Sequence, residues 1–155
     1  MWNSKHSTVL SIVVCFIVAV VLTVAVFIGP WAIKMWFLYY RGWDENSTGL
    51  LQVMTLFKVA FYPCAVLAYV TLYSLLRLLF NIKKDEIFTT QNVIYLRRIS
   101  WCCFAVALIT GVSGVFYVPY LMMAVAAGFV GLMLRVVKNV MQRAVEIREE
   151  NELTI

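Results

Sequence analysis

Residues 9–28 read VLSIVVCFIVAVVLTVAVFI, an unbroken run without a single charge. A helix rises about 1.5 Å per residue, so a run of this length spans about 30 Å, the thickness of a bilayer's hydrocarbon core. No water reaches backbone N–H and C=O groups at that depth, so the run has to be helical. Gly29 and Pro30 follow and read as the helix stop. Lys5 precedes the run, as in a signal peptide, but the apolar stretch is longer than a typical signal core. Small residues at cleavage spacing do not follow it either, so a retained membrane helix is expected.

The rest of the chain agrees with a lipid environment. Of its 155 residues 63% are hydrophobic and only 14% charged, where a soluble domain is about a quarter charged. The mean hydropathy is +0.87. The net charge of +5 resembles a nucleic-acid signal until the charges are placed. They sit at the ends of apolar runs, where membrane proteins keep them, so no direct nucleic-acid binding is expected and the bilayer is the first partner. No polar stretch is long enough for a second folded domain, which leaves one membrane domain over 1–155.

Three further spans follow the first. Lys58 and Arg77 bracket an apolar stretch at 59–76, each able to snorkel to one surface. Helical structure is expected to begin earlier, near Leu50, and Pro63 to kink this helix. The third and fourth spans cover about 100–118 and 120–137, with only Pro119 and its neighbours between them, which implies a tight antiparallel hairpin. The fold expected is an all-α membrane protein of four transmembrane helices. Lys5, Arg77, Lys83, Lys84, Arg97, Arg98, Arg135, Lys138, Arg143 and Arg148 fall on one side, against Lys34, Arg41 and Lys58 on the other. The positive-inside rule puts the richer side in the cytoplasm, with both termini inside.

The expected outer loop, 31–49, carries Trp31, Trp36, Phe37, Tyr39, Tyr40 and Trp43, rings that favour the headgroup layer. It reads as an interfacial segment or as the lip of a ligand site. In the cytoplasmic connection, 81–99, Thr89 or Thr90 suits an N-cap, and Arg97 and Arg98 stand at headgroup depth. The tail, 138–155, prolongs the fourth helix. Val137, Val140, Met141, Ala144 and Ile147 form an apolar stripe, which in water needs a partner. That partner is the 81–99 connection, a second copy in a homo-oligomer, or another protein.

Two stretches carry a resemblance. Phe88 and Thr89, then Asn92, Val93, Leu96, Arg97 and Ile99, form the first; RAVEIREENELTI at 143–155 forms the second. Together they resemble the central and closing motifs of a family of small bacterial multi-pass membrane proteins known as domain of unknown function 2975. The resemblance implies a bacterial plasma (inner) membrane. It also implies a cytoplasmic transcriptional partner, a Cro-type helix-turn-helix regulator. Phe88, Asn92, Leu96, Arg97, Glu149, Glu150, Leu153, Thr154 and Ile155 are the residues expected to bind a partner.

Little else points to chemistry. Cys15, Cys64, Cys102 and Cys103 lie in or at the edge of spans without a CxxC pair and read as small buried hydrophobes. His6 is the only histidine, so neither a metal site nor a cofactor is expected. Tyr62, Tyr69 and Tyr73 fall on one side of the second span, as interhelical hydrogen-bonding groups or as a polar seam for a small ligand. Ala124 with Gly128 and Ala127 with Gly131 are small-xxx-small pairs for close helix packing. No nucleophile–base pair or carboxylate pair suggests an enzyme. The function expected is regulatory or sensory. The alternative is a subunit of a small transporter or channel, against which no acidic residue lies in any span.

Overall fold

The computed structural model describes residues 4–42, 44–45, 47–84, 86–115 and 118–152, with backbone alone at 4–7 and 152. Four helices account for its regular structure: α1 (Ser4–Arg41), α2 (Thr48–Lys83), α3 (Thr90–Gly114) and α4 (Pro119–Glu152). Each is long and apolar enough to cross a membrane. The chain is an all-α, multi-pass membrane protein.

Gly29 and Pro30 do not stop the first helix. α1 runs through both to Arg41. A proline inside a helix removes one hydrogen bond, a loss that membrane helices tolerate where neighbours and local adjustment re-satisfy the backbone. Gly29 gives α2 a close approach, since a Cβ there would meet the Phe61 ring at 3.5 Å. The true terminator is Gly42, at φ +61°, a left-handed conformation that costs glycine nothing. Ser47 then caps α2, its hydroxyl accepting from the Leu50 N–H at 3.3 Å. Within the segment expected as an interfacial loop, residues 31–41 and 48–49 are thus helical. Lys34 donates to Glu45 at 2.5 Å across this turn. The ammonium keeps that carboxyl below its ordinary range.

α2 begins just ahead of Leu50, as the sequence suggests, and passes through Pro63 without interruption. α3 ends at Gly114, short of the expected 118, and Pro119 becomes the first residue of α4. Proline suits that position because its missing N–H would have no helical partner there, and it biases the residue before it away from helix.

Close backbone approach joins only sequence neighbours among the described residues: α1 with α2, α2 with α3, α3 with α4. The helices therefore form an open row, with α1 and α4 at its edges. α3 and α4 are the most intimately packed. Gly111 faces Ala124, Gly114 faces Leu121, Gly128 faces Ala107 and Gly131 faces Cys103 and Phe104. These pairs fall in opposite order along the two helices, so the two run past each other in opposite directions. A Cβ on Gly114 would lie 3.0 Å from the Leu121 nitrogen, so any larger residue there would require the α4 backbone to give way slightly. Along α4 the inward residues include Tyr120, Ala124, Ala127, Gly131, Leu134, Lys138, Met141 and Val145, in alternating steps of four and three, with Gly128, Gln142 and Ala144 beside that row. That is the heptad seam of a coiled coil. Its membrane half uses small residues, as membrane helix contacts do.

At the other edge of the row, α1 rests on α2 alone, and Thr23 Oγ1 and Tyr69 OH lie 2.8 Å apart between them. A double-mutant cycle of Thr23→Val and Tyr69→Phe, read by unfolding in detergent, should give a coupling of roughly 0.6 kcal/mol. A coupling of zero would show that this bond does not help to hold α1.

Candidate functional site

The two motif stretches meet at the end of the row that carries the α2–α3 connection and the C-terminus of α4. Asn92 organises the connection. Its side chain is fully buried. Nδ2 donates to the carbonyls of Glu86 and Ile87, both at 2.8 Å, and Oδ1 accepts from Asn81 Nδ2 at 2.8 Å. All of its close partners are thus within the chain, on α2 and on the link to α3. The Glu86 N–H also bonds the Asn81 carbonyl at 3.0 Å, closing the same knot. Thr89 holds the N-cap position of α3, as the sequence suggests, with extended backbone at φ −127°. Its hydroxyl makes no capping bond and is buried without a partner.

α4 continues past the apolar segment and stays docked on α3. Val145 is buried, as are Val93 and Leu96 of α3, and Thr90 Oγ1 donates to Glu149 Oε1 at 3.4 Å. Of the stripe expected on the tail, Met141 and Ala144 turn partly inward, while Val137, Val140 and Ile147 remain exposed. The docked face is one position further round, through Lys138, Met141 and Val145.

The residues expected to bind a partner accordingly divide. Asn92 and Leu96 are inside the chain. Phe88, Arg97, Glu149 and Glu150 are exposed at this end. Leu153, Thr154 and Ile155 lie outside the described residues. The three tyrosines of α2 have different partners. Tyr69 meets Thr23 of α1, Tyr73 accepts from Arg77 Nε at 3.0 Å, and Tyr62 packs edge-on to its neighbour Phe61. The four cysteines are free.

Sequence reading passed over Ser100, whose hydroxyl donates to the Gly131 carbonyl at 2.9 Å from a buried position. It also passed over Arg135, whose guanidinium lies 5.7 Å above the centre of the Trp101 ring. The small-residue spacing around Gly131 was the available signal for the first. Nothing in the linear sequence brings Trp101 and Arg135 together.

The model of the family described as protein of unknown function (DUF2975) matches residues 6–155, and the chain belongs to that family. Neither a curated protein nor a solved structure matches it.

Asn92→Ala should destabilise the protein by about 2 kcal/mol, since it strands one donor and two carbonyls at the connection. It should also raise amide exchange over residues 84–91. Phe88→Ala, on the exposed side of the same motif, should shift stability by no more than about 0.5 kcal/mol. Equal effects of the two changes would refute the internal role of Asn92.

Proposed function

We propose that this member of the DUF2975 family is a non-enzymatic regulatory or sensory protein of the bacterial plasma membrane. In this reading both termini are cytoplasmic, and the α3–α4 hairpin projects into the cytoplasm as a stalk that binds a partner. The observation that carries it is the exposed stripe through Val140 and Ile147, which are 66% and 60% exposed on a helix already docked by its other face. Ile147 lies about 42 Å along α4 from Pro119, further than the roughly 30 Å hydrocarbon core. Its apolar surface is therefore not accounted for by lipid. Phe88 is 45% exposed on the connection at the same end. Arg97, Glu149 and Glu150 supply charge nearby. The resemblance of the two motifs makes a Cro-type helix-turn-helix regulator the partner of choice. An open row of helices gives less support to a transporter or channel subunit, which needs a lined path.

Orientation is tested by reporter fusions. A reporter in the 42–47 turn should read outside, and reporters in the 84–89 link and at the C-terminus should read inside. An inside signal from the 42–47 turn would overturn the orientation.

The partner is tested by co-expression with a Cro-type regulator from the same genome. Val140→Asp with Ile147→Asp should leave insertion intact and weaken copurification by at least about tenfold, because docking would bury unpaired charge. Unchanged copurification would exclude the stripe as the contact.

A further inference from the structure

A cleft of about 270 Å³ opens between α3 and α4, lined by Arg97, Ser100, Trp101, Arg135 and Lys138. Three of those five side chains are cationic, and no carboxylate pairs with any of them among the described residues. Lys138 Nζ donates to the neutral Asn139 amide at 3.0 Å, and Arg135 lies over the Trp101 ring. Like charges one helical turn apart repel. Arg135 and Lys138 stand at that spacing, with Arg97 across the cleft. Such a cluster calls for an anion. Two guanidinium groups favour one with several oxygens on a single centre, because each can donate two parallel bonds to it.

The position of the cleft selects among phosphates. It lies where both helices pass from polar to apolar sequence. On α3 the residues before Ser100 include Arg97 and Arg98, and those after it form the apolar segment. On α4 the change comes at Arg135. Trp101 is 61% exposed there, at the depth where tryptophan settles in membranes. The apolar surface continues from the cleft towards mid-membrane. Phe104 meets Trp101 edge-on at 6.4 Å, Leu108 follows at the next turn of α3, and Leu132 stands one turn before Arg135 on α4; both leucines are largely exposed. A soluble phosphate has no use for that strip, whereas acyl chains do.

We propose that this cleft binds the phosphate headgroup of an anionic phospholipid. Arg97 and Arg135 hold the phosphate, Lys138 adds the third positive charge, and the Ser100–Trp101 turn forms the floor. The acyl chains lie along Phe104, Leu108 and Leu132. This proposal does not depend on a protein partner.

The test uses the full-length protein in nanodiscs containing phosphatidylcholine alone or mixed with phosphatidylglycerol or cardiolipin, with native mass spectrometry counting retained lipids. The wild-type protein should retain the anionic lipids in preference to phosphatidylcholine, and no preference would overturn the proposal without recourse to any variant. Arg135→Gln and Lys138→Gln should each cut the preference about fivefold, the effect of one cation at a membrane surface. Lys84→Gln with Arg143→Gln, which removes two charges at the same end outside the cleft, should not. If this control loses as much, the attraction belongs to net charge and the site does not exist. Arg97→Lys with Arg135→Lys keeps the charge and guards against misfolding; it should retain a reduced preference. A final arm adds inorganic phosphate in millimolar excess. Displacement of the lipid, with equal thermal protection by phosphate alone, would assign the cleft to a soluble anion and overturn the lipid reading.

Discussion

The Ser100 hydroxyl donates to the Gly131 carbonyl, 2.9 Å away, from the middle of the α3–α4 contact. That bond requires the two backbones to lie close, and Gly131 allows it by bringing no side chain to the seam; a Cβ there would already press on Cys103 and Phe104 at 3.3 Å. On the membrane side of this point the seam is built from Gly111, Gly114, Ala124 and Gly128, because apolar surface alone gives no drive for association in lipid and close packing must supply it. On the other side it is built from Val93, Leu96, Met141 and Val145, residues whose burial is favourable in water. One continuous heptad seam thus changes its residue sizes along its length, small where both helices are most apolar and large towards the α2–α3 connection. The rest of the architecture depends on it. It keeps α4 docked beyond the apolar segment, and it fixes which faces of the extension stay exposed.

The constraint on backbone groups in hydrocarbon made the helices legible from apolar run length alone. Their ends were not legible, for physical reasons that differ. Gly29 and Pro30 read as a stop under rules drawn from water, where freed backbone groups are hydrated and the chain turns; in an apolar setting the helix continues to Gly42. The tail's expected stripe of 137, 140, 141, 144 and 147 divides, with Met141 and Ala144 turned partly inward and the other three exposed. That stripe and the row 138, 141, 145 both repeat at helical spacing, and hydrophobicity favours the first. The second is the docked one because the long stem of Lys138 can line a seam while its ammonium reaches the cleft. Asn92 illustrates a third limit. A polar residue in a motif reads equally as a binding group or as an internal staple, and only the position of the carbonyls of Glu86 and Ile87 decides between them.

The open row explains why so much apolar surface is exposed. A closed four-helix bundle buries one stripe of every helix against two neighbours. Here only α2 and α3 have two neighbours, and α1 and α4 each have one. Lipid covers the remaining faces within the membrane at no cost, since acyl chains are as apolar as leucine. Outside it the same exposure is costly. The distinction falls near the change in seam composition, which is why the proposed function rests on Val140 and Ile147 rather than on equally exposed residues such as Val125 or Phe129.

Lys138 links the two proposals. It lies on the α3–α4 seam and also lines the cleft, between the small-residue half of the contact and the half formed by Met141 and Val145. Three positive charges, those of Arg97, Arg135 and Lys138, bear on the junction between the helices. An anionic headgroup held as proposed would reverse the sign of that local interaction. The stripe proposed to face a partner is carried by the next turns of the same helix, so the two proposed contacts fall on one helix pair, on either side of Lys138.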